Sequence, residues 1–244
     1  MIAIQTRDLT KKYGTKTAAN SLNISINQGE LFGLLGVNGA GKTTTIKMLS
    51  CLSKPTSGDA TILEHNILTD ANKVKEVTNV SPQETAVAPN LTVRENIEMI
   101  AGIYGMNKAT ASEKTSKIIK TMGLVQTQND KAKTLSGGWQ RRLSIAMALV
   151  SEPQILFLDE PTLSLDVLAR RELWSMISSL KGKVTIILTT HYMEEAEALS
   201  DRVGIMEHGQ LKVVGTPTEL ISLSGKSSFE QAFIKFATPE EIMP

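Results

Sequence analysis

The stretch GVNGAGKT, Gly36–Thr43, constrains the fold more than any other part of the chain. It matches the pattern G-x-x-x-x-G-K-[S/T]. It sits between the apolar run ELFGLL and a segment of helical character from about Gly41 to Ser50. Here Gly36, Gly39 and Gly41 allow backbone N–H groups to turn inward around phosphate oxygens without Cβ clashes. The helix start adds the positive end of its dipole. Asn38, Ala40 and Thr44 complete the loop. Lys42 is expected to reach the β- and γ-phosphates of a nucleotide, and the Thr43 hydroxyl to bind Mg²⁺.

Two further apolar runs, QILFLDEP and KVTIILTTH, read as strands. The segment between them, from about Asp166 to Leu180, has helical spacing and stops at Gly182. Strand, helix, strand implies a parallel sheet and hence an α/β fold. ILFLDE is four apolar residues followed by two carboxylates. Strand alternation sends Asp159 and Glu160 to opposite sides unless the strand ends there, and Pro161 suggests that it does. Asp159 then fits as a Mg²⁺-holding carboxylate and Glu160 as the group that polarises an attacking water.

Elsewhere the period changes. Leu22, Ile24 and Ile26 alternate ahead of the turn Asn27-Gln28-Gly29, which predicts an antiparallel hairpin leading into a buried strand. From about 84 to 150 the pattern is helical. One helix starts at Val93 behind a Thr92/Glu95 capping box, and a second, around Ala111 to Met122, stops at Gly123. A third begins at the Ser136-Gly137-Gly138 turn. VGIMEHGQLKVVG predicts a closing hairpin at His208-Gly209, and the tail from Leu220 one short helix. The expected division is 1–220 for the main domain and 221–244 for a helical tail.

Composition bounds the function. There are 26 basic and 25 acidic side chains, which argues against a strongly basic nucleic-acid binder. Aromatics at 4% leave little for stacking single strands. Cys51 alone cannot form an internal disulfide, which fits a reducing compartment, and it is expected as a buried small hydrophobe. The start lacks a signal-peptide layout, and no apolar run approaches the ~20 residues of a membrane helix. A soluble protein is expected, tied to any membrane through a partner.

Taken together these segments resemble the ATP-binding subunits of ABC transporters. LSGGWQ, Leu135–Gln140, looks like that family's signature. Tyr13 in KKYG stands where the family places an adenine-stacking aromatic, and Gln83 where its helical insert begins. Asp166 and His191 match the aspartate after the carboxylate pair and the switch histidine. The resemblance implies a P-loop core, an N-terminal antiparallel β subdomain and a helical insert carrying the signature. It implies ATP and Mg²⁺ as cofactors, with Gln83 contacting the metal and His191 the γ-phosphate or Glu160. Two chains, a second copy or a paralogous subunit, would pack head to tail. Ser136, Gly137 and Gly138 of one would cover the γ-phosphate held by the other. Separate membrane-spanning permease subunits would place the protein at the cytoplasmic face of the membrane, and no nucleic acid is implied. HYMEEAEALSDRVGIMEHGQLKVVGTPTEL is similar to subunits of drug, lipid or polysaccharide exporters. The alternatives are a soluble ABC ATPase outside transport and a nucleotide-dependent dimerising regulator.

Several positions depart from the family pattern or read more plainly. Trp139 replaces the usual glutamine, and Leu163 and Ser164 replace a small polar residue and glycine, so a changed backbone path is expected at the latter. Arg141 and Arg142 read as a solvated helix face, the acids of MEEAEAL as favouring a helix start, and His65 and His208 as surface or turn residues.

Overall fold

A computed structural model describes residues 1–237. The chain opens with β1 (Ile2–Tyr13), β2 (Lys16–Leu22) and β3 (Ser25–Asn27). β4 (Leu31–Leu35) leads through the glycine loop into α1 (Lys42–Leu49). β5 (Ser57–Ile62), β6 (His65–Asn66), α2 (Ala71–Val77) and β7 (Thr78–Ser81) follow. The helical insert holds α3 (Val93–Ile103), α4 (Lys108–Thr121) and α5 (Gly137–Leu149). Alternation resumes with β8 (Ile155–Asp159), α6 (Val167–Ser178), β9 (Thr185–Thr190), α7 (Met193–Leu199) and β10 (Arg202–Glu207). β11 (Gln210–Gly215), α8 (Pro217–Ser224) and α9 (Phe229–Ala237) close the described chain.

The strands form two sheets. An antiparallel sheet runs β2-β1-β5-β6, with β3 also paired to β1, and a six-stranded sheet runs β11-β10-β4-β9-β8-β7. Neighbours in the second are parallel except β10 and β11. This is the α/β architecture the glycine loop implies. Its central strands are apolar throughout because both faces are covered. In β8, Leu156 and Leu158 join the core under α3, α5 and α6, whereas Ile155 and Phe157 face α1 and the antiparallel sheet. β9 divides the same way, with Ile186 and Leu188 on one face and Ile187 on the other. The insert therefore shares one core with the sheet, and α5 reaches from it to the strand ends that carry the site.

Local signals set the element ends. Thr92 and Glu95 form the expected capping box on α3. Gly123 and Gly182 both take left-handed φ, +67° and +73°, after their helices. His208 and Gly209, φ +46° and +78°, make the β10–β11 turn. Cys51 is half-buried rather than fully buried, at φ +56°.

Three expectations are corrected. Leu22, Ile24 and Ile26 are buried as alternation requires, but β3 pairs with β1, Ile26 opposite Ile4, and not with the strand that follows. The turn at Gln28-Gly29 hands the chain from one sheet to the other; alternation reports a buried face and not the partner. α4 starts at Lys108, earlier than expected, because the Asn107 side chain caps it by accepting from Thr110 N–H. The tail holds two helices. α8 starts behind a Thr216/Glu219 capping box with Pro217 at its first turn, so position 220/221 falls inside it. Leu220, Phe229 and Phe233 pack with Leu35, Val203 and Ile205. Residues 238–244 of the expected tail lie outside the described residues.

Candidate functional site

The loop between β4 and α1 is a cradle of backbone. Gly41 has φ +104°, and a Cβ there would lie 2.2 Å from the Ala18 carbonyl oxygen; at Gly36 a Cβ would lie 2.4 Å from that of Met206. Only glycine fits either place. Lys42 is 5% exposed and its Nζ donates to the Gly36 carbonyl at 2.7 Å and the Val37 carbonyl at 3.2 Å. The ammonium is thereby held over the loop, at the start of a helix whose first N–H groups point the same way.

The ends of β8 and β9 supply the opposing wall. β8 does end at Asp159, and Glu160 turns at φ +48°, so both carboxylates reach the same side. Asp159 Oδ1 accepts from Thr43 Oγ1 at 3.1 Å and from Thr189 Oγ1 at 2.6 Å. Glu160 Oε1 lies 3.2 Å from Lys42 Nζ, and its Oε2 is 2.6 Å from His191 Nδ1. A carboxylate can only accept, so Nδ1 of His191 carries the hydrogen in this contact. Thr43, Asp159 and Gln83 offer a hard, all-oxygen donor set, which suits Mg²⁺ held by few protein ligands together with phosphates. No group of three His, Cys, Asp or Glu residues converges as a metal cage among the described residues.

These walls bound a cleft of about 440 Å³. It is lined by Tyr13, the loop residues Asn38 to Thr44, Gln83, Glu160 and His191. Tyr13 stands at the rim, 50% exposed, with Lys11 Nζ 5.0 Å above its ring. Gly36 and Asp159 contribute from behind, through Lys42 and Thr43. Ser136, Gly137 and Gly138 are not part of this lining; they sit at the exposed start of α5. Ser136 is the N-cap residue there, yet its side chain makes no capping bond. Lys16 and Ala18 also line the cleft, and no motif marks them; Leu163 lines it too, from the segment after the carboxylate pair. Ser164, which replaces glycine, keeps a left-handed backbone at φ +63°.

Arg141 overturns the expectation of a solvated helix face. It is 4% exposed, and its guanidinium donates only to backbone carbonyls, those of Pro82, Gln83, Asp159 and Pro161. Burial lowers its pKa to about 10, opposed by the nearby Asp159, Glu195 and Glu160 carboxylates, so it stays charged at neutral pH. Arg142 is not freely solvated either. It lies over the Trp139 ring, 4.7 Å from the centroid, and pairs with Glu172. Glu194 and Glu195 do fall in the first turn of α7, but Glu195 is fully buried and accepts from Trp174 Nε1 at 2.9 Å. Burial raises its carboxyl above the usual range, and the bond from Trp174 offsets this only in part. His208 is exposed in its turn, as expected, and His65 is half-buried in β6. An apolar helix face hides an arginine as readily as a leucine stripe reveals itself, so only the pattern of buried neighbours around α5 would have hinted at Arg141.

Known proteins resemble this chain in sequence and fold. A family model described as ABC transporter matches residues 19–163. The probable multidrug ABC transporter ATP-binding protein YbhF of Escherichia coli (strain K12) is 40% identical over 238 residues, 95% of this chain. The chain spans 41% of that relative's length. The linearmycin resistance ATP-binding protein LnrL of Bacillus subtilis (strain 168) is 38% identical, over 93% of this chain and 74% of its own length. Among solved structures, the dimeric post-hydrolysis state of the ATP-binding cassette MJ0796, bound to ADP and Pi, superposes with a TM-score of 0.77 at 26% identity. That match covers 87% of this chain and 98% of the cassette.

Proposed function

Because this chain belongs to the ABC transporter ATP-binding family, we propose that it is the ATP-hydrolysing motor subunit of a transporter, of the exporter type, working as a head-to-tail pair. The observation that carries the pairing is that Ser136, Gly137 and Gly138 are absent from their own chain's cleft. A Cβ on Gly137 would meet nothing within 4 Å beyond its own helical turn, so packing among the described residues does not demand glycine there. A helix start with an uncommitted hydroxyl and unhindered N–H groups suits the γ-phosphate held by a second chain. The dimeric cassette above supports pairing, and the relatives named for multidrug transport and linearmycin resistance support export. Permease subunits in the membrane would receive the motion. No helix among the described residues is long and apolar enough to cross a membrane.

The chemistry follows from the wall geometry. Lys42, drawn to the β- and γ-phosphates, releases Oε1 of Glu160. Glu160 then accepts the proton of the attacking water, and the new oxygen–phosphorus bond replaces the bond to ADP. His191 Nδ1 holds the other carboxylate oxygen, fixing the base. Thr43, Asp159 and Gln83 are the residues that would hold Mg²⁺, which when bound spreads the charge of the phosphates. Tyr13 at the rim offers its ring to the adenine. Phosphate release tests the reading. Glu160→Gln should keep ATP affinity and lose roughly 10²–10⁴-fold in turnover. Lys42→Ala should lose binding or turnover. Unchanged release in either would remove that residue from its role.

A further inference from the structure

Arg141 is the one buried cation in the described chain whose donors all go to backbone carbonyls of the site's loops. Its Nε donates to the Pro161 carbonyl at 2.9 Å and its Nη2 to that of Asp159 at 2.8 Å. Its Nη1 donates to the carbonyls of Pro82 and, at 3.3 Å, Gln83. The first two acceptors flank Glu160 on either side. The last two carry the start of the Gln83 loop. The residue itself belongs to α5, shortly after Ser136. One planar group therefore joins three segments that sequence keeps far apart.

Glu160 needs such a hold. Its backbone sits at φ +48°, a region that side chains other than glycine rarely occupy and that persists only when neighbours over-determine it. Its N–H is fixed by Thr189, to the carbonyl at 3.1 Å and the hydroxyl at 3.0 Å. Arg141 holds the carbonyls of the residues before and after Glu160. A leucine would fill the same space without desolvating a charge. A guanidinium adds direction, because its N–H groups form a rigid fork. Any shift of α5 is carried through that fork to both loops.

We propose that Arg141 is a positioning residue that couples the helix beginning at Ser136 to the Glu160 and Gln83 loops of its own chain. The inference rests on the proposed hydrolytic role of Glu160. A nucleotide gripped by the α5 start, held in a second chain, would thus set the geometry of the base in the first. Hydrolysis is compared for wild type, Arg141→Lys, Arg141→Ala and Glu160→Gln, with nucleotide affinity and hydrogen exchange of segments 80–84 and 157–162. Lysine offers one nitrogen where three are used. Arg141→Lys should lose about tenfold or more in kcat. KM and nucleotide affinity should stay within about twofold, and exchange should quicken in both segments. Arg141→Ala should lose more and regain turnover with ethylguanidinium but not ethylammonium. Wild-type kcat in Arg141→Lys, or a kcat loss matched by equal loss of affinity, overturns the proposal. If Arg141→Ala does not fold, Arg141→Lys decides. If Glu160→Gln turns over like wild type, the hydrolytic reading falls and exchange alone judges the link: faster exchange in both segments upholds it, unchanged exchange overturns it.

Discussion

At the scale of single residues, the site is a set of polar groups that would be costly if left alone and are cheap when paired. Lys42, Asp159, Glu160 and Thr189 are each under 9% exposed, and each meets a partner of the complementary kind. Glu195 is the exception that pH exposes. Its Oε2 has no hydrogen-bond partner, and burial raises its pKa. An acid whose pKa rises on folding keeps its proton where the unfolded chain has already lost it. Its penalty is absent below the ordinary carboxyl value and grows as pH climbs toward the raised one. Glu195→Gln retains an acceptor for Trp174 and cannot ionise. Its melting temperature relative to wild type should therefore be more favourable at pH 8 than at pH 5. An equal difference at both pH values would contradict this. Residues with chemistry in a motif, such as Lys42, Asp159 and Glu160, were readable from sequence. Arg141 and Glu195 were not, because burial of a charge is decided by what packs over it and not by its neighbours in the chain.

Elements were legible where a local rule governs them. The glycine loop announces β4 and α1, the Thr92/Glu95 pair announces α3, and His208-Gly209 announces the last hairpin. Alternation does not reveal the partner of β3, because the register of Ile26 opposite Ile4 pairs residues distant in sequence. α8 was missed although Thr216, Pro217 and Glu219 spell a helix start as plainly as those of α3. The caps also make a quantitative statement. Thr92 accepts from Glu95 N–H at 3.1 Å while the Glu95 side chain accepts from Thr92 N–H at 2.7 Å. Thr92→Ala should cost about 1 kcal/mol. In a chain of this size that lowers the melting temperature by roughly 2–4 °C. A melting temperature unchanged within error would mean that the α3 start is held by packing alone.

Over the whole molecule, the notable feature is a division of labour. The cleft gathers the phosphate loop, Glu160 and His191, with Asp159 behind Thr43, while the Ser-Gly-Gly turn stands outside it. Gly137→Ala separates fold from function, since among the described residues the added Cβ meets nothing within 4 Å beyond its own helical turn. Its melting temperature should hold or rise, alanine favouring a helix by up to about 1 kcal/mol over glycine. ATP turnover should fall. Turnover unaffected by that methyl would place the turn away from any phosphate. Enclosure of the nucleotide by two chains is read from the mass in solution of Glu160→Gln with Mg²⁺ and ATP. A nucleotide-bound species of twice the 26.5 kDa chain is expected, dispersing when ATP is withdrawn. A 26.5 kDa monomer that holds ATP tightly, beside a wild-type monomer that hydrolyses it, would rule out a shared nucleotide site.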